Sequence, residues 1–213
     1  MTVPIAASGV ENLLFHVAEA LRWPVLAAAV LALAFVLADL GAFLVELLRR
    51  NRRESFEQVD AASARAREAL DAGDKDEAAA ALLPVASSAQ MAETLWLLVG
   101  QYDKPAAEDK MAKCLADFDL RSLKRLERSR MLVRFGPALG LMGTLIPLSP
   151  ALAGLASGNV QKLSDNLRVA FSVTVIGLLI GAIAFTISLV RDRLYAQDLS
   201  DLEYVATTLA PQS

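Results

Sequence analysis

Cysteine and histidine are almost absent from this chain: one residue of each, Cys114 and His16, in 213. A lone cysteine rules out an intramolecular disulfide and suits a reducing setting. A lone histidine, with no Cys/His cluster elsewhere, leaves nothing from which to build a zinc site or a nucleophile–base set. No paired carboxylates accompany the apolar runs, so the sequence argues against an enzyme. Two long stretches lack charge altogether: Phe135–Ala156 and Val169–Val190 contain no Asp, Glu, Lys or Arg. A soluble core segment is rarely so long without one.

What is present in quantity is apolar surface. Hydrophobic residues make up 55% of the chain, and the mean hydropathy is +0.42. They cluster into runs long enough to cross a bilayer as helices. The expected fold is therefore all-α, an integral membrane protein with three transmembrane helices extended by a cytoplasmic helical bundle. Boundaries follow from the runs: 1–22 outside the cytoplasm, 23–48 first span, 49–130 cytoplasmic helical domain. Residues 131–156 form the second span, 157–166 a short polar hairpin, 167–190 the third span, and 191–213 a cytoplasmic helix and tail.

The basic residues orient this arrangement. Arg49, Arg50, Arg52 and Arg53 follow the first span, while Arg121, Lys124, Arg125, Arg128, Arg130 and Arg134 precede the second. Arg191 and Arg193 follow the third. Nucleic-acid binding is the naive reading of such clusters, but each abuts a span, and the positive-inside rule accounts for them. The amino terminus then lies outside and the carboxyl terminus in the cytoplasm of a bacterial-type inner membrane. No basic n-region precedes the first run, so it is not read as a secretory signal. Val10, Leu13, Leu14, Val17 and Leu21 share one helical face, which fits either a helix lying in the interface or a simple extension of the first span.

Punctuation divides the cytoplasmic segment into helices. One is expected over Glu54–Ala72, stopping at Gly73. Asp74 caps the next, which ends near Pro84, and another covers Ser87–Gly100. After Lys104-Pro105 a long helix runs through Arg130 into the second span. Asp192–Leu209 continues the third span into the cytosol.

Small residues recur at helical spacing on the second and third spans. Gly136, Gly140 and Gly143 mark one stripe, with Thr144, Pro147, Ala151 and Gly154; Gly177 and Gly181 mark the other, with Ala170, Thr174 and Ala184. Such stripes let membrane helices approach closely, and packing alone is sufficient reason for the glycines. Thr144 and Thr174 offer uncharged hydroxyls, though a membrane threonine can also satisfy itself on a preceding carbonyl. Pro147 and Pro150 free carbonyls that are tolerated only against protein or water. Asp39 is the one carboxylate deep in a span. It is read either as part of an ion path or as paired to a neighbouring helix. Glu46 is expected beside Arg49 or Arg50.

At these residues the chain resembles the MotA/TolQ/ExbB proton-channel family. The resemblance is carried by Gly136-Pro137-x-Leu139-Gly140-Leu141-Met142-Gly143-Thr144 and by Ala170-Phe171-Ser172-Val173-Thr174-Val175-x-Gly177-Leu178. One early span, a large helical cytoplasmic segment and a tight pair of spans agree with it, as in the three-span TolQ/ExbB branch. The resemblance implies a homopentameric stator subunit whose second and third spans line a pore. It also implies a dimeric, single-span ExbD/TolR-like partner that supplies a pore aspartate, with protons as the transported ion and sodium not excluded. Threonines matching Thr144 and Thr174 face that pore; Ser172 adds a weaker hydroxyl and Asp39 a weaker carboxylate. No cofactor or metal is implied, and lipid is the only other expected contact. Many members carry a glutamate about five residues before the third-span threonine, where this chain has Val169. The rival reading is a non-conducting scaffold that oligomerises through its glycine stripes and docks a cytoplasmic partner. Which process is powered does not follow from the sequence.

Overall fold

The computed structural model describes residues 16–50 and 55–210, together with Gly9 and Leu13. Arg52 and Arg53 of the basic cluster after the first span, and Val10 and Leu14 of the Val10–Leu21 face, lie outside the described residues. The described chain is all helical, with no strand. Its elements are α1 (Arg22–Arg49), α2 (Phe56–Asp71), α3 (Lys75–Leu82), a 3-10 turn (Leu83–Val85), α4 (Ala89–Val99), α5 (Ala107–Ala156) and α6 (Val160–Leu209). Three helices are long and apolar enough to cross a membrane: His16–Leu48, Ala107–Ala156 and Val160–Leu209. The protein is an all-α membrane protein.

Contacts divide the chain into two compact units. The first holds residues up to Gly41 together with Arg128–Ile187. It is a three-helix assembly, because α1 lays Val36 against Ile180 and Ala184 of α6, with Leu132 and Val133 of α5 at the margin. Leu141, Leu145, Leu152, Phe171, Val175, Leu178 and Phe185 point outward. Exposed side chains this large are at home in lipid or against other chains, not in water.

The second unit holds Ala42–Glu127 and the chain from Ser188 onward. Here amphipathic helices behave as they do in soluble bundles: Val59, Ala66, Leu70, Leu82, Met91, Leu98, Phe118, Leu202 and Leu209 are buried in one core. Local sequence sets its corners. Ser55 and Gln58 form a capping box at the start of α2, and Gly73 takes φ +83° just past its end, a conformation that favours glycine. Asp74 accepts from the Glu77 amide at 2.9 Å and Ser88 from that of Met91 at 3.2 Å, capping α3 and α4.

The polar hairpin is shorter than the expected Ser157–Asn166. Only residues 157–159 leave the helix. Gly158 turns the chain at φ +74°, and the Asn159 side chain accepts from the Lys162 amide at 2.9 Å, so α6 starts at once. Residues 160–166 are polar yet helical because that cap satisfies the first turn.

Candidate functional site

The second and third spans meet through backbone rather than side chains. A Cβ built on Gly177 would lie 2.5 Å from the Gly136 carbonyl oxygen and 2.7 Å from Gly140 Cα. One on Gly136 would lie 2.7 Å from the Gly177 oxygen and 2.8 Å from the Gly181 nitrogen. At Gly143 the obstacle is Val173, with Cγ1 at 2.2 Å, and at Gly181 it is the ring of Pro137, at 3.0 Å. Only glycine allows this approach at Gly136 and Gly177. The five glycines of the two stripes are therefore occupied by each other's helices within one chain.

Both threonines sit at the margin of this contact, half-buried. The Thr174 hydroxyl lies 3.2 Å from the Ala170 carbonyl on its own helix and 3.3 Å from that of Gly140 on the facing one. Thr144 donates to the Leu141 carbonyl at 2.7 Å. In the antiparallel register set by the glycines, Thr144 lies level with about residue 171. That is roughly three residues, or ~4.5 Å of helix, from the height of Thr174. Each hydroxyl proton is thus taken by a backbone carbonyl, and what each oxygen has left to offer is a lone pair. Ser172 is on the exposed side of α6 and donates to the Arg168 carbonyl at 2.8 Å. Thr186, which the sequence reading passed over, does the same to Ala182 at 3.0 Å. Val169 is half-buried and Arg168 exposed.

Helix α5 stays unbroken through Pro137, Pro147 and Pro150. Each proline removes one helical N–H, which leaves the carbonyls of Val133, Gly143 and Ile146 without their usual donor. Pro147 is buried and Pro150 half-buried. The Pro137 ring serves instead as the packing surface for Gly181.

Asp39 accepts a hydrogen bond from Ser129 at 2.9 Å. Ser129 is fully buried and Asp39 half-buried. Nothing in the local sequence marks Ser129, which lies 90 positions away, as the partner. The spacing from the charged end of the span announced only that Asp39 needed one. The Glu46 carboxylate accepts from Arg191 at 3.2 Å and from the Tyr195 hydroxyl at 3.0 Å. Arg50 pairs with Asp198 instead. Facing helices supply these partners, and a buried guanidinium needs a carboxylate more than a surface one does.

Around Tyr195, burial first and then the Glu46 charge push the phenol above its ordinary value of 10.0. Among the described residues no group of three or more His, Cys, Asp or Glu side chains is placed to hold a metal ion. The arrangement presents two neutral hydroxyl acceptors on a helix pair that carries no charge over 135–156 and 169–190. No curated protein matches the chain. The family model of the MotA/TolQ/ExbB proton channel family matches residues 77–203, more than half of the chain and inclusive of both glycine–threonine stretches. The chain belongs to the MotA/TolQ/ExbB proton channel family.

Proposed function

We propose that this chain is the pore-forming stator subunit of a proton-driven membrane motor. Five copies surround the transmembrane helices of a dimeric, single-span partner of the ExbD/TolR kind, and proton motive force is converted into mechanical work. The amino terminus lies outside and the carboxyl terminus in the cytoplasm of the inner membrane, as the flanking arginines require.

One observation carries the reading: Thr144 and Thr174 stand within a turn of each other on a closely packed helix pair, and neither 135–156 nor 169–190 carries an ionisable group. A wall like this cannot hold a proton by itself. It can receive one held by another chain, because each threonine oxygen keeps its lone pairs after donating to backbone. A carboxyl group in a poorly hydrated pore has its neutral form favoured. Its O–H would donate to those oxygens when protonated, and it would leave for water when ionised. The hydroxyls distinguish the two states without trapping either, as a fixed cation would. With Val169 in place of a glutamate, the partner's carboxylate is the titrating group along this stretch. Protons are the ion that such chemistry serves, and no cofactor is needed.

A scaffold assembled through the glycine stripes has the harder case, since those stripes are filled within one chain. Thr144→Val and Thr174→Val test the channel directly. In proteoliposomes holding the full complex, each substitution should cut proton flux at least tenfold while the oligomer stays intact. Unchanged flux in both would defeat the reading. A sodium gradient that drives equal flux at fixed pH would reassign the ion.

A further inference from the structure

In the cytoplasmic unit a cavity of ≈ 220 Å³ opens beside the last turn of α1. Its wall includes Glu46 and Arg50 from α1, Ser88 and Gln90 from the start of α4, Arg125 from α5, and Asp198 from α6. No part of the channel reading uses it.

The charges around it are mostly spoken for. Glu46 is matched by Arg191 and Tyr195. Arg50 is paired with Asp198, which also accepts from Ser87 at 2.6 Å. Among the described residues that leaves Arg125, in contact with the neutral Tyr195 hydroxyl, as the charge on the wall without a carboxylate partner. The first amides of α4 add partial positive charge, since a helix begins with N–H groups that have no acceptor in the helix.

The Arg50–Asp198 pair is itself incomplete. Their side chains are only 9% and 3% exposed, yet among the described residues Arg50 Nη1 and Asp198 Oδ2 each lack a hydrogen-bond partner. A buried donor or acceptor left so is costly and calls for an explanation. One is a guanidinium N–H seeking an acceptor, the other a carboxylate oxygen seeking a donor. Beside them sit Arg125, whose described partner is a neutral phenol, and a helix start. A ligand that satisfies all four has acidic oxygens for Arg50, Arg125 and α4, and one O–H for Asp198.

We propose that this cavity binds a protonated oxyanion of the phosphate class, either inorganic phosphate or a phosphate monoester headgroup. Arg125 and the first turn of α4 hold its charge, Arg50 accepts it as a second cationic contact, and Asp198 takes its proton as a hydrogen bond. A fully deprotonated oxyanion such as sulfate has nothing to give Asp198 and binds less well.

The test uses the full chain in nanodiscs of neutral lipid. Inorganic phosphate at about tenfold excess over its dissociation constant should raise the melting temperature by roughly 3–5 °C, with sulfate at least tenfold weaker. Arg125→Gln should lower phosphate affinity tenfold or more without changing the melting temperature in phosphate-free buffer. The paired change Arg50→Met with Asp198→Leu keeps the site packed and should abolish the shift. Doping the nanodiscs with phosphatidic acid separates the sources: protection there alone assigns a lipid headgroup, and protection by inorganic phosphate assigns a soluble ligand. No shift with either overturns the proposal, as does sulfate matching phosphate or an undiminished shift in both variants.

Discussion

Replacing Gly177 by alanine is the sharpest perturbation the helix pair offers. The added Cβ would stand 2.5 Å from the Gly136 carbonyl oxygen and 2.7 and 2.8 Å from Gly140 Cα and N, all of them backbone atoms that cannot rotate away. Close C···O contacts between helices settle at about 3.3–3.6 Å, so the axes must part locally by about 0.8 Å. A radial gap of that order forfeits about a quarter to a half of the dispersion attraction across the opened contact. The Thr174 to Gly140 hydrogen bond, already 3.3 Å, would pass beyond range. In a membrane such a bond is worth about 0.6 kcal/mol. Overpacking a tight contact costs about 1–3 kcal/mol, and with a rigid obstacle the upper end applies, so the loss is about 3 kcal/mol. Gly41→Ala is the control: nothing lies within 4 Å of its Cβ, and it should change stability by less than about 1 kcal/mol. Gly140→Ala, whose contacts begin at 3.3 Å, should fall between. Thermal unfolding of the three variants in one detergent gives the order. If Gly177→Ala is as stable as Gly41→Ala, the backbone contact is not what holds these spans together.

Two further outcomes concern the second unit. Glu46→Ala removes one carboxylate partner of Arg191, whose side chain is 9% exposed and stacks over Phe43 at 5.5 Å, and should cost about 1–3 kcal/mol; the pair Glu46→Leu with Arg191→Met should recover most of it in the same denaturation assay. Tyr195 gives a pH signature. Its folded pKa is raised, chiefly by burial and next by Glu46, so the folded state holds its proton longer than the unfolded one. The stability this provides is complete below the unfolded value of about 10 and is lost as pH rises through the higher folded value. Melting temperature should accordingly be insensitive to this group up to about pH 10 and then fall, and Tyr195→Phe should flatten that fall.

Much of this architecture could be read from local pattern. Gly73, Asp74, Ser88 and the Asn159 cap each fix a corner through chemistry confined to four residues. The glycine spacing shows which face of each span is thin. It does not show what fills that face, and the answer lies some forty positions along the chain, where Gly136 meets Gly177. Glu46 makes the same point more strongly. Its neighbour in sequence, Arg50, pairs with Asp198, while Glu46 takes Arg191, 145 positions away. Periodicity specifies a surface, whereas the pairing of surfaces is a property of the packed whole. The hairpin is shorter than its polarity suggests for a related reason: a capped helix needs no apolar residues to begin, so 160–166 are helical.

The absence of charge along the contact face of 135–156 and 169–190 follows from that packing. Where α5 and α6 touch through backbone at Gly136 and Gly177, no side chain of any kind fits, and an ionisable one least of all. Polar function is confined to the margin, and there the backbone already claims the proton of each threonine hydroxyl. Residues that satisfy themselves locally cost little to keep in a membrane and still present lone pairs to a neighbour. A helix pair can therefore be rigid, neutral and receptive together, provided that the titrating carboxylate comes from elsewhere. Placing a glutamate at the half-buried Val169 would supply a carboxylate within the chain, at the desolvation cost of a charge in the membrane. On this reasoning Val169→Glu should add a second titration to the flux–pH profile of the full complex, whereas Val169→Gln, neutral at every pH, should leave the profile with its single step.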